Sequence, residues 1–432
     1  MRSISAIVLT FVWATGMAAG QEAAGQARRL TLQECVDLAM QQNPGIAIAD
    51  QGVRSAEAGE RGARSAYFPQ LEARNDYEIV RSRGGRRVIA GGGAISFSGQ
   101  LTEQDTHGLY LSQTIMQSGR TDVVRQARHQ ARAERHAATD VRRQLVETVA
   151  TQYYAVLANR RLLTVSQQSE AFEEENVRIV QGRVNAGLAA QVDVRPALTA
   201  RASAQLDVVR ASNAVDLALA QLKYTLGLPP TESIDLAESL KEEAREVKLE
   251  DALNEAYEKR PDLAEQQQRV EAQRDAVRIA RSNVLPQLTV TGASSYDVLD
   301  GYGGFAYQLG ASLSYPVFDG GATQSSLDGA KANLKSAQAA LDQVRLSVGL
   351  DVENAVLNLG EAAQAIQAAQ AAVDEAQANF DAMQGRLQEG LVTTQDVTEA
   401  EVQLTTARVQ QVQAIYNYNV AEAALDAAIG RQ

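Results

Sequence analysis

The chain repeats its own order of features, and that repeat limits its folds more than its composition does. Leu32, Ala39, Pro44 and Pro69 return 217 residues later as Leu249, Ala256, Pro261 and Pro286. Phe68-Pro69-Gln70-Leu71 returns as Leu285-Pro286-Gln287-Leu288. Farther along the offset shortens. Met116-Gln117-Ser118-Gly119 matches Phe318-Asp319-Gly320-Gly321 at 202, and Gly187-Leu188 with Asp193-Val194 matches Gly390-Leu391 with Asp396-Val397 at 203. Leu226-Gly227 matches Ile429-Gly430 at that same spacing. About fifteen extra residues therefore lie between Leu71 and Met116 in the first half.

Each half reads as a short helix (Leu32 to Gln42; Leu249 to Lys259), then a second helix opened by a proline, which the first helical position tolerates. Two strand-like segments follow, then a very long helix, a Gly-Leu turn and a last helix. The strands show period two. Phe305, Tyr307, Leu309, Ala311, Leu313, Tyr315 and Val317 alternate with small or polar residues. Leu288, Val290, Tyr296 and Val298 do the same, as do Leu71, Ala73, Tyr77 and Ile79, and Leu109, Leu111 and Ile115. The expected strands are about 71–81, 107–116, 288–298 and 305–317, each near the length of a tilted membrane strand. Any one of them alone would suit a soluble sheet with one wet face.

Residues 120–186 predict a helix of roughly 100 Å at about 1.5 Å per residue. Shorter helices at about 45–68 and 192–226 nearly match it if stacked end to end. In the second half Leu327, Leu334, Leu341, Val348, Ala355, Ala362, Ala369, Ala376 and Met383 lie seven apart, as do Val352, Leu359, Ile366, Val373, Phe380 and Leu387. Sustained sevens mean coiled-coil packing. Gly187 and Gly390 stand where a helix must stop and reverse. The domains expected are a signal segment at 1–20, a first repeat at 30–229, a connector at 230–246 and a second repeat at 247–430.

Residues 1–20 read as a secretory signal: Arg2, the apolar run Ile4 to Trp13, then Ala18-Ala19-Gly20. No later run approaches the length of a transmembrane helix. Cys35 is the sole cysteine, which excludes an internal disulfide and a cysteine metal cluster. Set in Leu32-Gln33-Glu34-Cys35, it reads as a helix-face thiol rather than a lipid attachment point. A net charge of −12 argues against nucleic acid as a partner. The only histidines are His107, His129 and His136, and no phosphate loop, His-Glu-x-x-His site or nucleophile elbow occurs. No cofactor and no enzyme activity are expected. Repeated helix carboxylates read as solvated faces. Arg81, Arg83, Arg86 and Arg87 beside Gly91-Gly92-Gly93 read as a solvated loop, with contact to lipopolysaccharide phosphates as the alternative.

Four membrane strands cannot close a barrel within one chain, since single-chain barrels begin at about eight. Open edges do not survive in lipid. Spanning therefore requires several copies to share one barrel, with the long helices hanging from it as a cylinder.

The doubled order, the Pro-Gln-Leu entries, the Val317-Phe318-Asp319-Gly320-Gly321 exit and the two Gly-Leu…Asp-Val turns resemble the TolC-like outer-membrane efflux family over about residues 30–430. The resemblance implies a mixed α and β fold. A long antiparallel α-helical barrel would run into a transmembrane β-barrel, with four strands from each chain of a homotrimer. It implies an outer-membrane duct with a periplasmic extension, serving efflux or type I secretion. A periplasmic adaptor and an inner-membrane transporter would dock at its inner end, and outer-membrane lipid would surround its barrel. Gly187-Leu188 and Gly390-Leu391 match the adaptor-docking turns, Asp193 an acidic residue of the closing network, and Asp396 and Glu399 the acidic positions at the tunnel entrance. Three residues apart on a helix, Asp396 and Glu399 share a face. Asp396 also follows Thr393-Thr394, where a carboxylate favours a helix start, so ring and cap both stand. Leu387 and Val392 replace the aromatic and arginine partners of the family's clasp, which must therefore differ or be weaker. The other reading is a periplasmic or surface coiled-coil tether or adhesin without a pore, which leaves the four alternating strands unexplained.

Overall fold

The computed structural model describes residues 28–81, 85–89, 93–97, 101–237, 240, 245, 247–299 and 302–431. The signal segment, Arg83, Gly91 and Gly92 lie outside the described residues. The chain runs β1 (Arg28–Leu30), α1 (Leu32–Gln42), α2 (Pro44–Ser65), β2 (Gln70–Arg81), β3 (Gly85–Ile89), β4 (Gly93–Phe97), β5 (Leu101–Gln117), α3 (Arg120–Asn185) and α4 (Val194–Leu226). It continues as β6 (Ile234–Leu236), α5 (Leu249–Lys259), α6 (Pro261–Ser282), β7 (Gln287–Leu299), β8 (Tyr302–Ser314), α7 (Ala322–Gln388) and α8 (Thr394–Ala428).

Four strands form one antiparallel sheet in the order β2-β5-β7-β8, open at both edges. Its register sorts the side chains by face. Ala73, Leu109, Ser294 and Tyr307 share one row, and Asp76, Thr106 and Asp297 share another on the opposite side. One face carries the exposed apolar residues Leu71, Tyr77, Ile79, Leu109, Leu111, Tyr296, Phe305, Tyr307 and Leu309. Asp76, Glu78, Thr106, Tyr110, Asp297 and Gln308 line a polar hollow.

Below the sheet the helices form a layer one helix thick. At the sheet end α2 packs on α3, α3 on α6 and α6 on α7; at the far end α4 packs on α3, α3 on α8 and α8 on α7. The apolar core is a belt at mid-height. There α1, the middle of α3 and the end of α4 bury Cys35, Tyr153, Leu222 and Leu226, and α5, α7 and the end of α8 bury Val348, Val352, Tyr418 and Leu425.

At this belt α2 continues the line of α4, and α6 that of α8, through two built joints. Asn43 ends α1 and caps α2: its Oδ1 accepts from Gly45 N at 2.7 Å, and its Nδ2 donates to the Thr225 carbonyl at 2.7 Å. At the second joint Arg143 Nη1 donates to the Ala427 carbonyl of α8 at 2.9 Å. Both satisfy carbonyls that a helix end leaves open. Gly227 and Gly430 have φ of 77° and 81°, and a Cβ on them would meet backbone atoms of Gln42 at 2.6 Å and of Lys259 at 3.0 Å. Only glycine fits that conformation at that approach.

Several boundaries differ from the sequence reading. The last strand ends at Ser314, not 317. Pro316 has no N–H to continue a ladder, so Tyr315 and Val317 leave the sheet. It also begins earlier, at Tyr302. β5 runs from Leu101, well before 107, paired with β2 as far as Arg81; Glu103, Asp105 and His107 break the apolar alternation and hid this outer half from the sequence reading. The final helix of the first half begins at Val194, after a single 3-10 turn at Gln191–Asp193. The arginine-rich loop contains a two-stranded ribbon, β3 on β4. Within the connector β6 pairs in parallel with β1, and Ile234, Leu236 and Leu240, with Leu228 just before it, are buried in the belt. Cys35 is fully buried there, as a packed thiol. Two helix carboxylates, Glu173 and Glu401, are buried and not solvated.

The joints yield a direct test. Gly430→Ala forces a left-handed φ and a backbone clash, and should cost about 1–3 kcal/mol, read as a lower melting temperature. Gly385→Ala, inside α7 with nothing near its added methyl, should leave stability unchanged or raise it by about 0.5–1 kcal/mol.

Candidate functional site at the helical tip

The end of the helical layer farthest from the sheet carries two hairpin turns of the same design. Leu188 N donates to Arg183 O at 2.8 Å and Gly187 N to Val184 O at 2.9 Å. Leu391 N donates to Arg386 O at 2.9 Å and Gly390 N to Leu387 O at 3.0 Å. These paired bonds close a helix through a left-handed glycine, and Gly187 and Gly390 both have φ of 74°. The turn geometry thus accounts for the glycines. It leaves the leucines unaccounted for, since Leu188 and Leu391 are 73% and 69% exposed at the very tips.

Five residues beyond each tip leucine a carboxylate folds back. Asp396 Oδ2 accepts from Thr393 N and from Thr393 Oγ1, both at 2.7 Å, while Asp396 N donates to Thr393 Oγ1 at 3.3 Å. This is a capping box. Hydrogen bonds from the Thr393 hydroxyl and backbone hold the Asp396 carboxyl below the ordinary aspartate range. Asp193 Oδ2 accepts from Ala190 N at 2.8 Å in the matching place. Glu399 is exposed one turn farther along α8.

A groove of about 760 Å³ runs between the two hairpins. It brings together Leu188, Asp193, Gly390, Leu391 and Asp396, with Val392 also in its wall. Gly187 and Glu399 are not in its lining. Leu387 lies in a second, smaller groove with Phe172, Ile179 and Val397. Asn176 borders both, and its Nδ2 lies 3.4 Å from Thr398 Oγ1 across the α3–α8 contact. Sequence reasoning passed over Asn176, a single amide on a long helix. The matching positions of Asp193 and Asp396 were legible, since each follows its Gly-Leu pair at one spacing, while a helix-start cap was read for Asp396 alone. Among the described residues no group of three metal-binding side chains gathers, and no helix is long and apolar enough to cross a membrane.

The family model for the outer membrane efflux protein matches residues 35–228 and 252–431. The chain belongs to that family. Its curated relatives include Protein CyaE of Bordetella pertussis, 28% identical over 76% of this chain and 69% of that protein. Outer membrane protein TolC of Escherichia coli strain K12 is 27% identical over 66% of this chain and 61% of TolC. Among solved structures, the Campylobacter jejuni CmeC outer membrane channel superposes with a TM-score of 0.79 at 17% identity, covering 92% of this chain and 85% of CmeC. That likeness establishes the fold. The family is one of channel proteins, and membership assigns the chain to the outer membrane and to transport.

The capping bonds carry a pH signature. A carboxyl with a lowered folded pKa stabilises above its ordinary value and loses that contribution as pH falls through the lowered one. Asp396→Ala should speed hydrogen exchange at the Thr393 amide at pH 7, and the difference from the parent should close in strong acid. Equal exchange at pH 7 would mean that the cap contributes nothing.

Proposed function

We propose that three copies of this chain close into one passive exit duct of an efflux or secretion system. The observation that carries this reading is the bare four-stranded sheet. It has an apolar face, a polar face and two unpaired edges, and it is continuous with helices about 100 Å long. An uncovered apolar face of this size is unfavourable in water and favourable in lipid. The two edges need partners in lipid, and a sheet curled with its polar face inward gives a wet lumen.

Closing the ring brings β8 of one copy beside β2 of the next, and α7 beside α4 and α2. Those helix edges carry the apolar residues such a contact needs. Leu346, Leu350 and Leu357 on α7 are exposed, as are Leu206, Val209, Leu217 and Tyr224 on α4. Tyr67, Phe68, Tyr315 and Phe318, at the junction of strands and helices, suit the periplasmic membrane interface. Asp319 turns the chain from that interface into α7. Its carboxylate accepts from Gly321 N at 3.0 Å and Thr323 N at 2.7 Å.

At the far tip, the turns of Gly187-Leu188 and Gly390-Leu391 form the docking surface for a periplasmic adaptor that links the duct to an inner-membrane transporter. Two exposed leucines beside an open groove suit the end of a helical hairpin. Asp396 and Glu399 serve as the acidic entrance, and Asp193 belongs to the turn that closes it. Capping and ring roles are compatible, because a carboxylate held ionised by its cap still carries charge toward a lumen. With Leu387 and Val392 at the second turn, the clasp relies on apolar packing in place of an aromatic and arginine pair.

Two measurements test this reading. The protein should need detergent for release from membranes and should migrate as a heat-modifiable oligomer. Release by salt would favour the tether. In planar bilayers, Asp396→Ala with Glu399→Ala should lower cation selectivity and block by multivalent cations from the periplasmic side, with the oligomer intact. Unchanged selectivity with a weakened α8 start would reduce Asp396 to a cap.

A further inference from the structure

Below the mid-height belt, the two hairpins of one chain meet along a single seam, α3 against α8. Each hairpin is a tight pair, α3 with α4 and α7 with α8. A change in the width of the mouth that keeps both pairs intact must therefore repack this seam or the contact between copies. On the two helices of the seam Val165, Val397, Ala400, Leu404 and Ala407 are buried. In their midst sit two carboxylates, Glu173 of α3 and Glu401 of α8, 5% and 6% exposed.

Among the described residues neither carboxylate has a cation within ion-pair distance. Asn176 Nδ2 donates to Glu173 Oε2 at 3.1 Å, and Thr405 Oγ1 donates to Glu401 Oε1 at 2.8 Å. The basic groups on the packed helices are engaged elsewhere. Arg201 of α4 lies 3.6 Å from Glu174, and Arg408 of α8 donates to Gln168 and Gln377 at 2.9 and 2.8 Å. On α7, Phe380 packs edge-on against Phe172, and Asp381 accepts from Gln377 at 2.9 Å. Of the remaining titratable groups on the flanking turns, Glu170, Glu174 and Glu175 of α3 and Glu399 of α8 are acidic, and Arg178 of α3 pairs with Glu175. Asp275, the other buried carboxylate among the described residues, is matched: it meets Arg125 at 3.3 Å as well as Arg278.

Two carboxylates removed from water with no counter-charge cannot both ionise cheaply. We propose that Glu173, buried against the Glu401 carboxylate, is a proton-operated latch: it holds a proton while the α3–α8 seam is closed, and loss of that proton drives the two hairpins apart and widens the mouth. The inference rests on the reading of the chain as a duct. Burial raises the Glu173 pKa, the Asn176 hydrogen bond draws it back, and the Glu401 charge raises it again. The sign follows. A carboxyl with a raised pKa in the closed seam binds its proton better there than when the seam opens to water. The closed seam is favoured in acid and loses that advantage as pH climbs from the ordinary glutamate range through the raised value. Each unit of pKa difference is worth about tenfold in the closed-to-open ratio.

The test uses the assembled protein in planar bilayers, with pH on the periplasmic side stepped from 4.5 to 8. Open probability of the parent should rise by about tenfold or more. Glu173→Gln and Glu401→Gln, which keep a hydrogen-bonding group and remove the charge, should flatten that rise. Variants that keep the parent's slope would overturn the latch. Thermal melting supplies a second readout. The double variant Glu173→Gln with Glu401→Gln should melt above the parent at pH 8, with the gap shrinking toward pH 4.5. A gap absent or independent of pH contradicts the proposal. Failure of the parent to conduct at any pH would count against the duct, and the melting comparison would still decide the latch.

Discussion

The outer edges of β2 and β8 carry rows of backbone N–H and C=O groups with no strand partner among the described residues of their own chain. In hydrocarbon each unsatisfied group costs several kcal/mol, far more than the packing of any single side chain returns. The rest of the structure follows from meeting that demand. Four strands are too few to curl onto themselves, so in the proposed duct the edges meet those of other copies. The helices below are arranged with the same two edges, α4 and α2 on one side and α7 on the other. One ring operation therefore closes sheet and helical layer together. A layer one helix thick has little interior, and this explains why the large buried side chains crowd into the mid-height belt.

The belt is also where the chain changes from long helices to stacked short ones. Asn43, Gly227, Arg143 and Gly430 make the stacked ends behave as continuous rods, by capping carbonyls and permitting backbone approach. From this rigid waist the hairpins project to the tip, where turns are solvent-bound and leucines exposed. Stability and function are thus separated along one axis. The waist holds the fold, and in the proposed duct the sheet meets lipid while the tip is left free to meet a partner and to change width.

Features that recur in both halves or follow a strict period were legible in the sequence. The heptads of α7, the alternating strands and the turn glycines all had that redundancy. What escaped lacked it. β1 and β6 are three residues each and pair across some 200 positions, so no local pattern marks them. Pro229-Pro230 and the Glu and Lys run hid the apolar residues of the connector that fill the belt. Pro316 ended β8 although the alternation ran on to Val317. Glu173 and Glu401 read as ordinary solvated carboxylates, because a charged residue on a long helix usually is one. At the tip, the pairing of glycine, leucine and aspartate was visible, while the grooves around Asn176 exist only once two distant hairpins are side by side.

Subunit closure through the β2 and β8 edges is tested most directly by linking them. In a Cys35→Ser background, cysteine would be placed at Ala73 on β2 and, in separate variants, at Leu309, Ala311 or Leu313 on β8. Oxidation of assembled protein in membranes should give covalent species that end at three chains for at least one of these pairs, while single-cysteine controls stay at one chain. A product confined to one chain, or a ladder that climbs without limit, would contradict a closed ring built from open four-stranded sheets.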